Sequence, residues 1–433
     1  MNRLIVGLNE FEVILLRASE QSVTASIVNK TAPHHRPSVL WFRCRRWRTG
    51  LPPANRDTLP CLSTMSEPIS TTAQPLLSGS VLVLIQFDVC EELRLDQLQQ
   101  SVSARTLQQP SMKHSAPAYV RYQRPPVIGP LEPLLLETGE RLEGEVKYYD
   151  YGVASVIYQL PFSGDWESLV RLASRWVWDV DFASRVEPIV RQKLERVTSA
   201  MVKPYKRWLS EDYFIFHVRE AAGTPSAADV TRDRGREIAQ VVRGDRLVLS
   251  EGEIREVLQS QVSYYAGDVA VIGWNAAFLY DSTSGAETSI QLLEYANSQL
   301  LEFRHYDELL TGILDSVYDL LGQKTGFFAR WGLARSATSL HTVLLDVAEL
   351  TERADNAIKF LSDMFAARFY KLAAGKVGVH DYKDLVAQKL KTAEDLYHDM
   401  VEQFNQSRAF FLEVTVVLIL LIELLYLFRG KPF

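Results

Sequence analysis

Cysteine is scarce: Cys44, Cys61 and Cys90 are the only three in 433 residues. They match no zinc-ligand spacing, and an odd number cannot all pair within the chain. A disulfide framework is therefore excluded, and a reducing compartment is the simplest setting. Positive charge is also in deficit. Lys and Arg number 47 against 53 Asp and Glu, a net of −6. That balance argues against direct nucleic-acid binding, which needs a clustered basic surface. The familiar catalytic signatures are missing too: G-x-G-x-x-G, G-x-x-x-x-G-K-[ST], H-E-x-x-H and G-x-S-x-G do not occur. Gly322–Gly326 (GQKTG) has Lys and Thr, but neither the preceding strand nor the spacing of a phosphate loop. The eight His are scattered. Glu302-x-x-His305 occurs once, and a facing carboxylate could complete a metal site with Tyr306. A bundle metal site uses that motif twice, so a solvated charged face is the plainer reading. No catalytic residue, metal or cofactor is expected.

What the chain does have is one long apolar run. Ala409–Phe428 reads AFFLEVTVVLILLIELLYLF, and Arg429 and Lys431 follow. About 20 residues at 1.5 Å each span the roughly 30 Å hydrocarbon core of a bilayer. Two carboxylates interrupt the run. Glu413 lies one turn inside and can reach the interface; Glu423 remains in hydrocarbon, where a charge costs about 3 kcal/mol that the surrounding Leu, Ile and Val offset. Glu423 then either meets a neighbouring tail or lifts, protonated, toward the interface. The competing reading of the run is an amphipathic helix buried in a soluble core.

The other end is compositionally distinct. Residues 1–64 hold nine Lys/Arg and four Asp/Glu, a net of +5 against −11 for the remainder, and no acid falls between Glu20 and Asp57. Asn9, Glu10 and Glu12 break up any signal-peptide core in Leu4–Leu16. Residues 1–77 are expected to be a basic, poorly packed extension. It is either a targeting arm or a segment upstream of a start at Met65, which would lead directly through SEPISTTAQ to the first good strand.

Residues 78–281 mix strands and short helices, which predicts an α+β domain. Ser80–Val89 is a strand, then a short helix over Glu91–Gln100 and a Pro/Ser/Gln-rich loop over Ser101–Pro130. Gly144–Leu160 is a hairpin turning at Asp150-Tyr151-Gly152 and ended by Pro161. Asp165 caps a helix over Trp166–Val177. Helices are expected over Arg185–Val202 and Glu251–Gln259, strands over Asp212–Val218 and Val269–Tyr280, and a mobile mixed-charge loop over Gly223–Arg236. Residues 282–408 are read as long amphipathic helices, Glu287–Leu321, Ser336–Ala374 and Tyr382–Arg408, forming an antiparallel bundle or coiled-coil stalk. The last runs straight into a transmembrane helix at 409–428.

Aromatic side chains gather at Tyr148, Tyr149 and Tyr151 in the hairpin and at Trp166 after it. They form either a partner-binding surface, since aromatics dominate interface hot spots, or core and cross-strand pairs. The strand–turn–strand YYDYGVASVIY, the α+β domain around it and the helical half ending in a hydrophobic helix resemble the required-for-meiotic-nuclear-division family, a domain of unknown function, over about residues 78–430. The segment Val262–Asp281 departs from that family's pattern. The resemblance implies a membrane-attached scaffold; mitochondrial relatives are linked to organelle translation at the inner membrane.

These features lead to one expectation. The chain is a tail-anchored, non-catalytic scaffold or adaptor, single-pass, with its bulk cytoplasmic. It would sit in the inner membrane of a bacterium or, alternatively, of a mitochondrion, and bind a protein partner or a second copy of itself. The rival is a membrane-attached enzyme whose site is built from scattered residues such as Asp150, Asp212, His217 and Asp268.

Overall fold

The computed structural model describes residues 3–7, 12–19, 22–29, 77–101, 105–106, 125–322, parts of 340–348, and 364–430. Two compact units separate, Met1–Ser70 and Thr71–Phe433. In the first, β1 (Arg3–Gly7), β2 (Glu12–Ser19) and β3 (Ser22–Asn29) form an antiparallel meander. Regular strands thus stand where a segment without its own fold was expected. The local reason is the apolar and β-branched content of EVILLRAS and SVTASIVN. The Arg-rich stretch, Cys44, Cys61, the SEPISTTAQ leader and the GQKTG segment beyond Gly322 lie outside the described residues.

The second unit is built on a nine-stranded sheet. Its strands are β4 (Leu77–Leu93), β5 (Arg105–Thr106), β6 (Val127–Leu135), β7 (Arg141–Tyr148), β8 (Val153–Gly164), β9 (Met201–Ala221), β10 (Gln261–Val262), β11 (Val269–Ile272) and β12 (Ala276–Tyr280). They lie in the order β10-β11-β12-β9-β4-β8-β7-β6-β5, and of these pairings only β12 with β9 is parallel. Five short helices accompany them: α1 (Leu95–Ser101), α2 (Trp166–Trp178), α3 (Phe182–Glu195), α4 (Ala227–Arg243) and α5 (Glu251–Gln259). Among the described residues the second half contains α6 (Thr283–Gly322), α7 (Met364–Val377) and α8 (Val379–Phe428), with further helical residues between 340 and 348. A mixed sheet domain followed by helices is the α+β class the sequence predicts.

The central strand β4 explains its own composition. Val81, Val83, Ile85, Phe87 and Val89 face one core, shared with Leu169, Trp176, Val190 and Ile238 of α2, α3 and α4. Leu82 and Leu84 face a second core under α6 and α7, with Leu293, Leu300 and Phe369. A strand covered on both faces reads as a continuous apolar run rather than an alternating one.

Four expectations need correction. β8 does not stop at Pro161, which pairs with Ser80. The β7 pairing ends at Gln159, so Pro161 occupies a section of β8 open on that side, where its missing N–H costs no ladder bond. The helix expected to reach Val202 ends at Glu195, and β9 starts at Met201. Val269–Tyr280 is two strands, not one, folded back at Gly273. The Gly223–Arg236 loop is largely helix, because Ser226 and Asp229 form a reciprocal capping box that starts α4. Ser226 Oγ accepts from the Asp229 amide at 3.2 Å. Replacing Ser226 with Ala should therefore lower stability by about 1 kcal/mol, read as a shift in the urea midpoint. By contrast, Asp165 caps α2 and α5 spans Glu251–Gln259 as the sequence pattern predicts, with Ser250 as the α5 cap.

The long helices share a direction. Lys389 of α8 reaches Asp307 and Thr311 of α6. Higher up, Leu314 and Val317 of α6 share a cluster with Ala393 and Met400 of α8. The antiparallel return expected between them falls mostly at residues 323–363, outside the described residues. Gly378, in the left-handed region at φ +95°, separates α7 from α8. α8 is then unbroken for 50 residues, from the packed stalk into its apolar end, as expected.

Candidate functional site

One row of polar residues crosses the otherwise apolar α6-facing side of the sheet. Lys147 on β7 stands opposite Ser155 on β8, Ser155 opposite Gln86 on β4, and Gln86 opposite Glu211 on β9. Strand periodicity puts all four on the face that also carries Leu82 and Leu84. Helix α6 lies across this row and answers it with side chains of its own. Glu294 accepts from Lys147 Nζ at 2.6 Å and from Ser155 Oγ at 2.7 Å. Gln86 Nε2 donates to the Glu294 carbonyl at 2.8 Å. Arg304 pairs with Glu211 further along. The Lys147 and Glu294 side chains are 5% and 1% exposed, so this ion pair is satisfied within the protein rather than by water.

A second cluster lies where α6 leaves the sheet. Asp88 follows Gln86 on the same face of β4, and immediately after it the β4–β9 register shifts. The irregularity brings Tyr205 of β9 over the ring of His305, stacked at 4.6 Å between centroids. Bulges of this kind re-aim side chains. His305 Nδ1 lies 2.8 Å from Asp88 Oδ2. The Tyr306 hydroxyl donates to Glu302 Oε2 at 2.6 Å, while Glu302 Oε1 is withdrawn from solvent without a hydrogen-bond partner. Burial, then the charge of Asp88, pushes the Glu302 carboxyl well above its usual range. Burial also raises Asp88, with the His305 hydrogen bond and charge pulling it back. Cys90 is buried beside them, and burial lifts its thiol to about 12, so it is no nucleophile at neutral pH.

The facing carboxylate that the sequence leaves open for Glu302 and His305 is therefore Asp88. Asp88 and Tyr306 are buried and Glu302 and His305 half-buried, so these groups form a largely covered acid–imidazole cluster rather than a solvated face. Among the described residues no group of three or more His, Cys, Asp and Glu side chains is arranged to hold a metal.

The aromatic residues do not form an exposed face. Tyr148 is 2% exposed and belongs to the main core. Tyr149 is buried and stacks on Tyr151 at 5.2 Å, and the Tyr151 hydroxyl meets Ser298 Oγ of α6 at 2.9 Å. Trp166 is buried against Phe278. This corrects the partner-surface reading: the hairpin aromatics seat α6 and fill the core. Glu413 and Glu423 are exposed on the last turns of α8.

The four residues of the enzyme reading have local roles. His217 Nε2 bonds the Asp281 carbonyl, Asp268 caps the Tyr264 and Tyr265 amides, Asp150 lies in the hairpin turn, and Asp212 on β9 pairs with Ile85 of β4. The cavity of about 350 Å³ between α2 and α4 is lined by other groups, among them Asp165, Glu167, Arg234, Glu237 and Arg246.

Residues 78–287 match a family model described as the N-terminal domain of uncharacterized protein MJ0711. The full-length protein of that name from Methanocaldococcus jannaschii is 20% identical over 188 residues, 43% of this chain and 58% of the relative. The chain thus spans less than two thirds of that relative's length. No solved structure matches. The matched domain is one of unknown function, and these matches do not show the meiotic-nuclear-division link. Its boundaries are informative: it contains Gln86, Asp88, Lys147 and Ser155 but ends at Glu287, before Glu294, Glu302 and His305. The sheet half of the seam lies inside the matched domain and the helix half beyond it.

Proposed function

We propose that the chain is a membrane-anchored, non-catalytic scaffold that holds its α+β domain at a fixed distance from a bilayer. One observation carries this reading. α8 is a single helix whose first half packs through Val386, Ala393 and Met400, and whose end, Arg408–Phe428, has mean hydropathy 2.5 and no buried residues. That end is long and apolar enough to cross a membrane. From Lys389, beside the domain, to Arg408 the helix rises about 30 Å. The rigid seam of α6 on the sheet, tied to α8 by Lys389, makes the stalk part of the domain rather than a loose tether. The domain lies on the cytoplasmic side in this reading, Glu423 contacts a neighbouring span, and the bound partner is a protein. The resemblance to the meiotic-nuclear-division family favours the same kind of molecule.

The test is removal of residues 409–433. The full chain should stay with membranes through an alkaline carbonate wash, and the truncated chain should move to the soluble fraction. A truncated chain that still sediments with washed membranes would sink the proposal.

A further inference from the structure

The cavity between α2 and α4 has no part in anchoring. Both helices cover the sheet face opposite α6, and every residue that lines the cavity falls within the matched segment 78–287. Its volume of about 350 Å³ is in the range of small-molecule sites, roughly 300–1,000 Å³. Trp166 and Val170, both buried, give it an apolar wall. Much of the remaining lining is charged, and of both signs. α4 breaks its helical backbone at Arg234 (φ −126°, ψ 15°), one of the lining residues, and Arg234 Nη1 donates to Glu237 Oε1 at 3.0 Å. The Asp165 carboxylate accepts from the Ser168 amide at 2.8 Å. Arg246 stands apart. Gln240, itself buried, donates Nε2 to the Arg246 and Leu247 carbonyls at 3.1 and 2.9 Å, and so fixes the backbone that carries Arg246 at the cavity. Among the described residues the Arg246 guanidinium has no ion-pair or hydrogen-bond partner. Its planar fork of N–H donors matches a carboxylate. An ionised carboxylate accepts at about four positions, so Asp165 and Glu237 keep capacity for a further donor.

We propose that this cavity binds a small zwitterion of the α-amino-acid class with an apolar side chain. The carboxylate meets the Arg246 fork, the ammonium meets the Asp165 and Glu237 carboxylates, and the side chain lies on Trp166 and Val170. Charge decides against the two neighbouring classes. A purely anionic ligand would gain Arg246 but bring its charge among Asp165, Glu167 and Glu237, and like charges placed together cost affinity. A purely cationic one would meet the acids and leave the fork unused. A zwitterion satisfies both ends and adds no net charge to the site.

Thermal unfolding of the full chain in detergent, with L-leucine, L-methionine or L-phenylalanine at about 10 mM, tests this, because a ligand of millimolar affinity raises the midpoint there. At least one of the three should do so. Titration of that amino acid is then compared with its N-acetyl derivative, which lacks the ammonium, and with its amide, which lacks the carboxylate. Each should bind at least ~10-fold more weakly, the loss expected for one charged hydrogen-bonding end. Arg246→Ala should weaken the free amino acid by about 10-fold or more. Arg246 is exposed, so this variant should fold and keep the unliganded midpoint. No shift with any of the three, an N-acetyl derivative or amide that binds as well as the amino acid, or full affinity in Arg246→Ala would overturn the proposal. The readout is ligand affinity, so its outcome is separate from that of the anchoring test.

Discussion

Replacing Lys147 with Met should cost the domain about 3–5 kcal/mol, measured by urea unfolding at neutral pH. The reason is what the substitution leaves behind. Glu294 is 1% exposed at its side chain and would keep a buried carboxylate with Ser155 Oγ as a remaining neutral donor. Replacing Glu294 with Leu should cost a similar amount, because Lys147 would then be a buried ammonium without its acid. The double substitution Lys147→Met with Glu294→Leu should cost much less than the sum, since no uncompensated charge remains and apolar groups of similar size fill the space. If the double variant is as unstable as the two singles combined, the pair does not act as a unit. The comparison also bears on function. An ion pair that packs no better than its apolar replacement but fixes where α6 crosses the sheet is there for register, not strength. Unfolding midpoints near wild type, combined with altered exchange along α6, would be the signature of lost register.

The seam was only half legible in the chain. Gln86 and Asp88 interrupt SVLVLIQFDV, and Lys147 and Ser155 interrupt the hairpin strands, so each is visible as a polar residue in an apolar run. Nothing local says that they line up, because their pairing spans 69 residues from Gln86 to Ser155 and 208 to Glu294. On α6 the signal is a cluster of polar residues, Glu294, Asn297, Ser298 and Gln299, on a helix otherwise read by its leucines. All four are buried. A buried polar stretch on a long helix faces another polar surface, and the sheet row supplies it. The spacing of Glu302 and His305 is visible in the sequence, but helical periodicity alone does not tell which neighbour covers that face.

Elements whose signals are local are legible in the sequence. The Asp165 cap, α5 and the hairpin at Gly152 depend on residues within a few positions of one another. β9 is legible only at DYFIFHV, because its first half, with Lys203, Lys206 and Arg207, lacks alternation and is shaped by the irregular pairing with β4. α4 is hard to see in the sequence for a different reason. Its N-terminal half is polar and carries Gly235, and its capping residue at N3 is Asp229 rather than Glu or Gln. The helix kinks at Arg234, and Gly235 next to it lies against the end of the Leu258 side chain of α5.

Gly152→Ala should be the most damaging small change in the hairpin, costing about 2–4 kcal/mol. Two penalties add there. Gly152 has φ +92°, in a region that suits glycine, and a Cβ would run into the carbonyl oxygen of Cys90. That carbonyl belongs to a backbone held against the turn. Val89 N–H donates to the Gly152 carbonyl at 3.0 Å, and Leu93 N–H to the Asp150 carbonyl at 2.9 Å. Neither partner can retreat without breaking a bond. Gly139, in the turn between β6 and β7, separates the two penalties. It has φ +85° with nothing near a Cβ. Gly139→Ala should therefore show the backbone cost alone, about 1–2 kcal/mol. The excess at Gly152 measures how tightly the turn is docked on β4. Because Tyr151 in that turn meets Ser298 of α6, the same variant should speed hydrogen exchange in α6 near residue 298, which Gly139→Ala should leave unchanged. Equal destabilisation by the two substitutions would mean that the turn is free of β4 and that the hairpin does not support the seam.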